Sequence, residues 1–118
     1  MSVPILKQGP YLIASIQAAM SDSDALQLQD DLMAGVGRYR SKGIIVDVTA
    51  LDLMDSFAGR TLRTIAHMTR LRGAVTVIVG IQPEVAVAMV QLGMSLEEVD
   101  TALDLEEGLT YLDNIIRA

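Results

Sequence analysis

Apolar and polar positions change period several times along the chain, and each change marks an element. The run YLIASIQ, Tyr11 to Gln17, is apolar and tolerant of strand geometry, with Ile5–Lys7 as a shorter strand before it and Gly9-Pro10 as the turn between them. The cluster SDSD, Ser21 to Asp24, reads as a helix start. Ala25, Leu28, Leu32, Val36 and Tyr39 then recur at three- and four-residue steps, as the apolar stripe of an amphipathic helix does. Gly43, after Arg38, Arg40 and Lys42, reads as the stop of that helix. GIIVDV is a short β-branched strand with an acid, Asp47, in an unusual place. A second helix is expected from about Ser56 to Leu71, ending at Gly73, and Ala74–Gly80 (AVTVIVG) is an almost unbroken apolar strand of the kind covered on both faces.

Pro83 at a first helical position, Glu84 in the first turn and Gly93 beyond the end predict a third helix. VDTALDL is a short strand. Asp104 with Glu107 three residues on resembles a capping box that opens a last helix over about Leu105–Ile116. Helices alternating with strands imply parallel or mixed pairing and α/β layering. No internal repeat, low-complexity tract or linker interrupts the pattern.

The 118 residues suit one domain with one real core. At 51% hydrophobic and 20% charged residues the chain should fold. Aromatics are only 3%, which removes a base-stacking platform, and the net charge of −6 argues against nucleic acid and against an anionic membrane surface. Without cysteine there is no disulfide framework, thiolate chemistry or zinc ribbon. The opening MSVPILKQGPYL lacks a basic leader followed by a long apolar run, and no apolar run approaches the roughly 20 residues of a membrane helix. The expectation is a soluble cytoplasmic protein.

The candidate chemistry centres on LDLMDSFAGR, Leu51 to Arg60. Asp55 suits an N-cap, which puts Ser56 at the first helical position, and Asp-Ser is ordinary helix-start chemistry. A hydrolase would use Ser56 as nucleophile and His67 as base. His67, the only histidine, is eleven residues on along the same helix, about 16 Å along its axis, so no triad forms, and a solvated His67 on an exposed face is expected. A histidine–cysteine metal site is excluded by the same count. Asp47, Asp52 and Asp55 read as caps and a strand-end acid rather than paired catalytic carboxylates. Gly35-Val36-Gly37 lies late in a helix pattern, without the third glycine of a nucleotide fingerprint.

A third role for Ser56 has a physical basis. A first helical turn offers unpaired N–H groups and the positive end of the helix dipole, which suit a phosphate. Ser56, Arg60, Arg63, His67 and Arg70 follow at steps of 4, 3, 4 and 3, a basic stripe on one face, with Ala58, Leu62, Ile65, Ala66 and Thr69 on the other. Such a stripe suits a phosphate or a partner with an acidic patch. In the third helix Val85, Val87, Met89 and Val90 point in several directions, so a subunit contact is expected there and at the adjoining Gly93–Ser95 turn, most simply a two-fold pair. Cover by the C-terminal helix is the alternative.

The stretches VPILK, IVDVTALDLMDSFAGRTL and GIQPEVAVAMVQLGMSLEEVDTALDLEEGL, with the order of elements, resemble the STAS domain family, and within it the stressosome scaffold type represented by RsbS. The resemblance implies an α/β STAS fold over residues 1–118, with a mixed sheet of about five strands and about four α-helices. It also implies a non-enzymatic switch without cofactor or metal. Proteins of this type co-assemble with RsbR-type STAS paralogues and hold an RsbT-type serine/threonine kinase, which phosphorylates the helix-start serine and leaves. An RsbX-type phosphatase resets the serine. By position Ser56 would be the phosphoacceptor, flanked by Asp55 and Phe57, with Arg60 and Arg63 beside the partner. Ordinary anti-sigma-factor antagonists, the alternative reading, usually carry Asp-Ser-Ser/Ala-Gly here. Phe57 departs from that pattern and matches the stressosome type.

Overall fold

The computed structural model describes residues 3–93 and 99–117. Strands β1 (Ile5–Gln8) and β2 (Tyr11–Ser15) are followed by α1 (Asp22–Tyr39), β3 (Gly43–Asp47) and α2 (Ser56–Leu71). Then come β4 (Val75–Val79), α3 (Pro83–Gln91), β5 (Asp100–Ala102) and α4 (Leu105–Arg117). The five strands form one sheet in chain order. β1 pairs antiparallel with β2, and every later pair is parallel: Leu12 stands beside Ile44, Ile44 beside Thr76, and Val79 beside Ala102. The chain is thus an α/β fold with a mixed sheet and, among the described residues, four helices.

Strand periodicity sorts the core into two layers. Leu12, Ala14, Ile44, Val46 and Ile78 face one side, where they pack with Leu28, Leu32 and Val36 of α1, Leu62 and Ile65 of α2, and Val85 and Met89 of α3. Tyr11, Ile13, Ile45, Val77 and Val79 face the other, where Leu112 of α4 is buried among them. Three crossovers that step across the sheet in one direction with one hand leave their helices on the same face. Only α4, which follows the last strand, reaches the opposite face. The Tyr11 hydroxyl donates to the Asp113 carboxylate and fixes that helix to the sheet.

The starts follow their caps. Ser21 Oγ accepts from Asp24 N at 3.1 Å while Asp24 returns a bond to Ser21 N, a full capping box for α1. Asp104 Oδ1 accepts from Glu107 N at 2.9 Å, but the Glu107 carboxylate reaches Leu103 N rather than Asp104 N. One stop differs from expectation. α1 ends on Arg40, in the left-handed region at φ 50°, and Gly43 is the first residue of β3. Gly43 is glycine for space: a Cβ there would stand 2.9 Å from Leu112 Cδ1 and 3.0 Å from Tyr11 Cδ1. Packing of α4, rather than a helix end, sets that position.

Candidate functional site

The C-terminal ends of β3 and β4 carry the loops that position Ser56. At the end of β3 the Asp47 carboxylate turns back and accepts from Thr49 N at 2.9 Å and Thr49 Oγ1 at 2.6 Å. The acid that looked out of place in the strand therefore folds the first turn of the loop. Leu51 and Met54 are buried and pin the loop to the core, while Asp52 and Leu53 between them face outward, Leu53 at 65% exposure.

Asp55 caps α2, its Oδ1 accepting from Ala58 N at 2.8 Å. Ser56 follows as the first helical residue, half-buried, with Phe57 half-buried beside it. The Ala58 N–H is taken by the cap and the Gly59 N–H by Asp55 O. The N–H groups of Ser56 and Phe57 have no partner among the described residues, so two donors of the first turn stay open beside the hydroxyl. Arg60, one turn on, is exposed and Arg63 half-buried.

A second loop holds this one in place. Gln82, the residue before α3, donates through Nε2 to Thr49 O at 2.6 Å. Gly80, at φ 79°, lies so close that an added Cβ would be 2.0 Å from Thr49 Oγ1. Thr49, Gly80 and Gln82 were not among the candidates. Only the acid at a strand end followed by threonine two residues later hinted at the turn. On the other flank Ala19 and Met20, in the β2–α1 connection, border the loop at Leu53 and Asp55.

The structure brings Asp55, Ser56, Phe57 and Arg60 together on the first turn of α2, with Arg63 on the next. Ala58, Leu62, Ile65, Ala66 and Thr69 are all buried on the opposite side of the helix. His67 lies on the same helix as Ser56, so the pair cannot act as nucleophile and base. It is half-buried rather than on a fully exposed face. Among the described residues no group of acids and histidine is placed to hold a metal ion, and no helix is long and apolar enough to cross a membrane.

The four residues expected at a subunit contact divide. Val85 and Met89, one turn apart, are core residues on the inner side of α3. They are withdrawn from the contact, because the i, i+4 pair faces the sheet. Val87 and Val90 are 56% and 78% exposed. Of the adjoining turn Gly93 takes a left-handed φ of 69°, and Ser95 lies outside the described residues.

The Asp55 carboxylate both caps and carries charge, and substitution separates the two. Asp55→Ala is expected to lower stability by about 1 kcal/mol in urea unfolding, whereas Asp55→Asn keeps an acceptor and costs only a few tenths. Equal losses in both variants would assign the effect to charge rather than to the cap.

The STAS domain family model matches residues 2–108. The chain belongs to the STAS domain family. This STAS domain is 31% identical over 85 residues to the RsbT co-antagonist protein RsbRA of Bacillus subtilis, a match that covers 72% of the chain and 31% of that relative. It thus spans about a third of that relative's length. Among solved structures, a serine-to-glutamate variant of Moorella thermoacetica RsbS is 33% identical with a TM-score of 0.85, and 98% of each chain is covered. A chain from the stressosome, described as a signal integration and transduction hub, is 32% identical with a TM-score of 0.78, covering 98% of this STAS domain and all of the other. The anti-sigma factor antagonist SpoIIAA, at 12% identity and a TM-score of 0.70, shares the fold.

Proposed function

We propose that this chain is a non-enzymatic stressosome subunit that holds an RsbT-type serine/threonine kinase and releases it when Ser56 is phosphorylated, and so regulates a general stress response. The observation that carries the reading is Ser56 itself. It heads α2 on a loop tied down from both sides, with unspent N–H groups on its own turn and acids at Asp52 and Asp55. Likeness at above 30% identity to an RsbT co-antagonist, to an RsbS variant and to a chain of the stressosome supports the same setting. In this reading residues 1–118 are one cytoplasmic STAS domain. Asp55, Phe57, Arg60 and Arg63 meet the kinase, and exposed Leu53 adds an apolar contact beside them. RsbR-type paralogues share the assembly, and an RsbX-type phosphatase removes the phosphate.

Mixing the purified chain with such a kinase and such a paralogue tests the assembly. A scaffold forms very large particles with the paralogue and retains the kinase. Small complexes with an anti-sigma kinase alone would instead support the direct antagonist.

Self-association is assigned to the outer side of α3. Val87→Asp and Val90→Asp are expected to leave circular dichroism unchanged and to lower the mass by light scattering, since burial of about 25 cal/mol per Å² of apolar surface would be lost. Val85→Asp is expected to unfold the chain, because it buries a charge in the core. Unchanged mass in both exposed variants would move the contact elsewhere.

A further inference from the structure

At the end of the molecule where α1 and α2 finish, a hollow of about 330 Å³ opens between the two helices. We propose that it binds a small multiply charged oxyanion of the phosphate class. Arg40, Lys42 and Arg72 line it, and no carboxylate does. This concentration of cations is unexpected in a chain with 15 acids and 9 bases. Arg40 and Lys42 form no ion pair among the described residues.

The arrangement is built rather than incidental. Arg72 Nη1 donates to Met33 O, in α1, at 3.1 Å. Its other terminal nitrogen lies so near α1 that a Cβ on Gly37 would stand 3.0 Å from it. The second glycine of Gly35-Val36-Gly37 thus makes room for the guanidinium, which is held in place before any ligand arrives. Arg40 takes a left-handed conformation at φ 50°, where glycine or asparagine costs less. Ser41, buried to 6% exposure, also lines the hollow.

Cations at helix C-termini commonly offset the dipole. Two such ends supply about one negative charge between them. Three full positive charges leave a surplus of about two, the charge of a phosphate-class dianion. Only Val36 among the lining residues is a large apolar side chain, and none is aromatic. A nucleobase would find nothing to stack on, which points to a small anion and away from a nucleotide. The net charge of −6 gives no diffuse attraction, so affinity must arise locally.

The test is a titration of the full chain with sodium pyrophosphate at low ionic strength, by calorimetry and by amide chemical shifts. Saturable binding is expected, with shifts centred on Gly37, Ser41 and Gly73. Lys42→Gln and Arg72→Gln should each weaken it about tenfold, the effect of one charge-assisted contact. Arg60→Gln and Ser56→Ala should leave it unchanged, so the result is independent of the serine switch. Lys42 is exposed and its side chain makes no hydrogen bond within the described residues, so this variant stays informative if Arg72→Gln unfolds. Absence of saturation, shifts centred on the start of α2, or full binding by Lys42→Gln would overturn the proposal. So would tighter binding of an oligoglutamate peptide than of pyrophosphate, which would make the site a protein contact.

Discussion

Phosphorylation of Ser56 is expected to weaken kinase binding about a hundredfold, close to 3 kcal/mol. The modification adds about −1.5 to −2 charges to a turn that already carries Asp55, with Asp52 in the loop before it. In the free protein this charge is tolerable, because water solvates it and the open N–H groups of Ser56 and Phe57 lie on the same turn. A kinase seated over the same turn must strip water from the phosphate and set its own surface against it. The switch then needs no change of fold, only a bound state that the phosphate disfavours. Binding measured by surface plasmon resonance with unmodified and phosphoserine protein checks the magnitude. Ser56→Asp should fall between the two, since a carboxylate carries less charge. Ser56→Ala should lose phosphate incorporation on mass-spectrometric mapping, and incorporation equal to wild type would remove Ser56 as the acceptor. Equal affinity of the unmodified and phosphoserine forms would remove electrostatics from the switch.

The largest loss of stability is expected at Gly80. Gly80→Val places a β-branched residue at φ 79°, where left-handed backbone alone costs about 1–2 kcal/mol. Its Cβ would collide with Thr49 Oγ1 at 2.0 Å and press on the Thr49 backbone, whose Cα would be 3.1 Å away. Overpacking of this kind adds about 1–3 kcal/mol, so a total near 4 kcal/mol is expected in urea unfolding. Thr49→Ala in the same chain should recover only part, because the left-handed backbone and the crowding against the main chain of residue 49 remain. Full recovery would show that the side-chain clash is the whole effect. A milder Gly80→Ala is the functional probe. It pushes on the loop that positions Asp55 and Ser56, and should lower kinase affinity with the serine itself chemically unaltered.

Three of the four described helix starts were readable because each is announced by a local polar group: Ser21, Asp55 and Asp104 cap helices that begin where their side chains find backbone donors. Local signals failed where distant packing decides. Gly43 follows three basic residues as a helix stop would, yet Leu112 and Tyr11 are what exclude a side chain there. In α3 apolar residues surround the helix, so pattern could not choose between Val85 and Val87. The sheet chose Val85 and Met89. The serine was legible from its motif and helix position. The support beneath it was not, because Gln82 and Thr49 are 33 residues apart and nothing in either stretch refers to the other. Asp47 lies between these cases: its odd place in a strand was visible, and its use as a turn-former became clear only with Thr49 beside it.

The two outer strands have a bearing on life at high copy number. β1 spans four residues, with Pro4 before it and Lys7 within it, and β5 spans three, opening on Asp100. A naked sheet margin offers rows of donors and acceptors that can template another chain, and short, charged or proline-marked margins are poor templates. Copies of this domain crowded together therefore have little means of zipping sheet to sheet into fibres. An assembly built from such copies has to use surfaces other than the sheet margins.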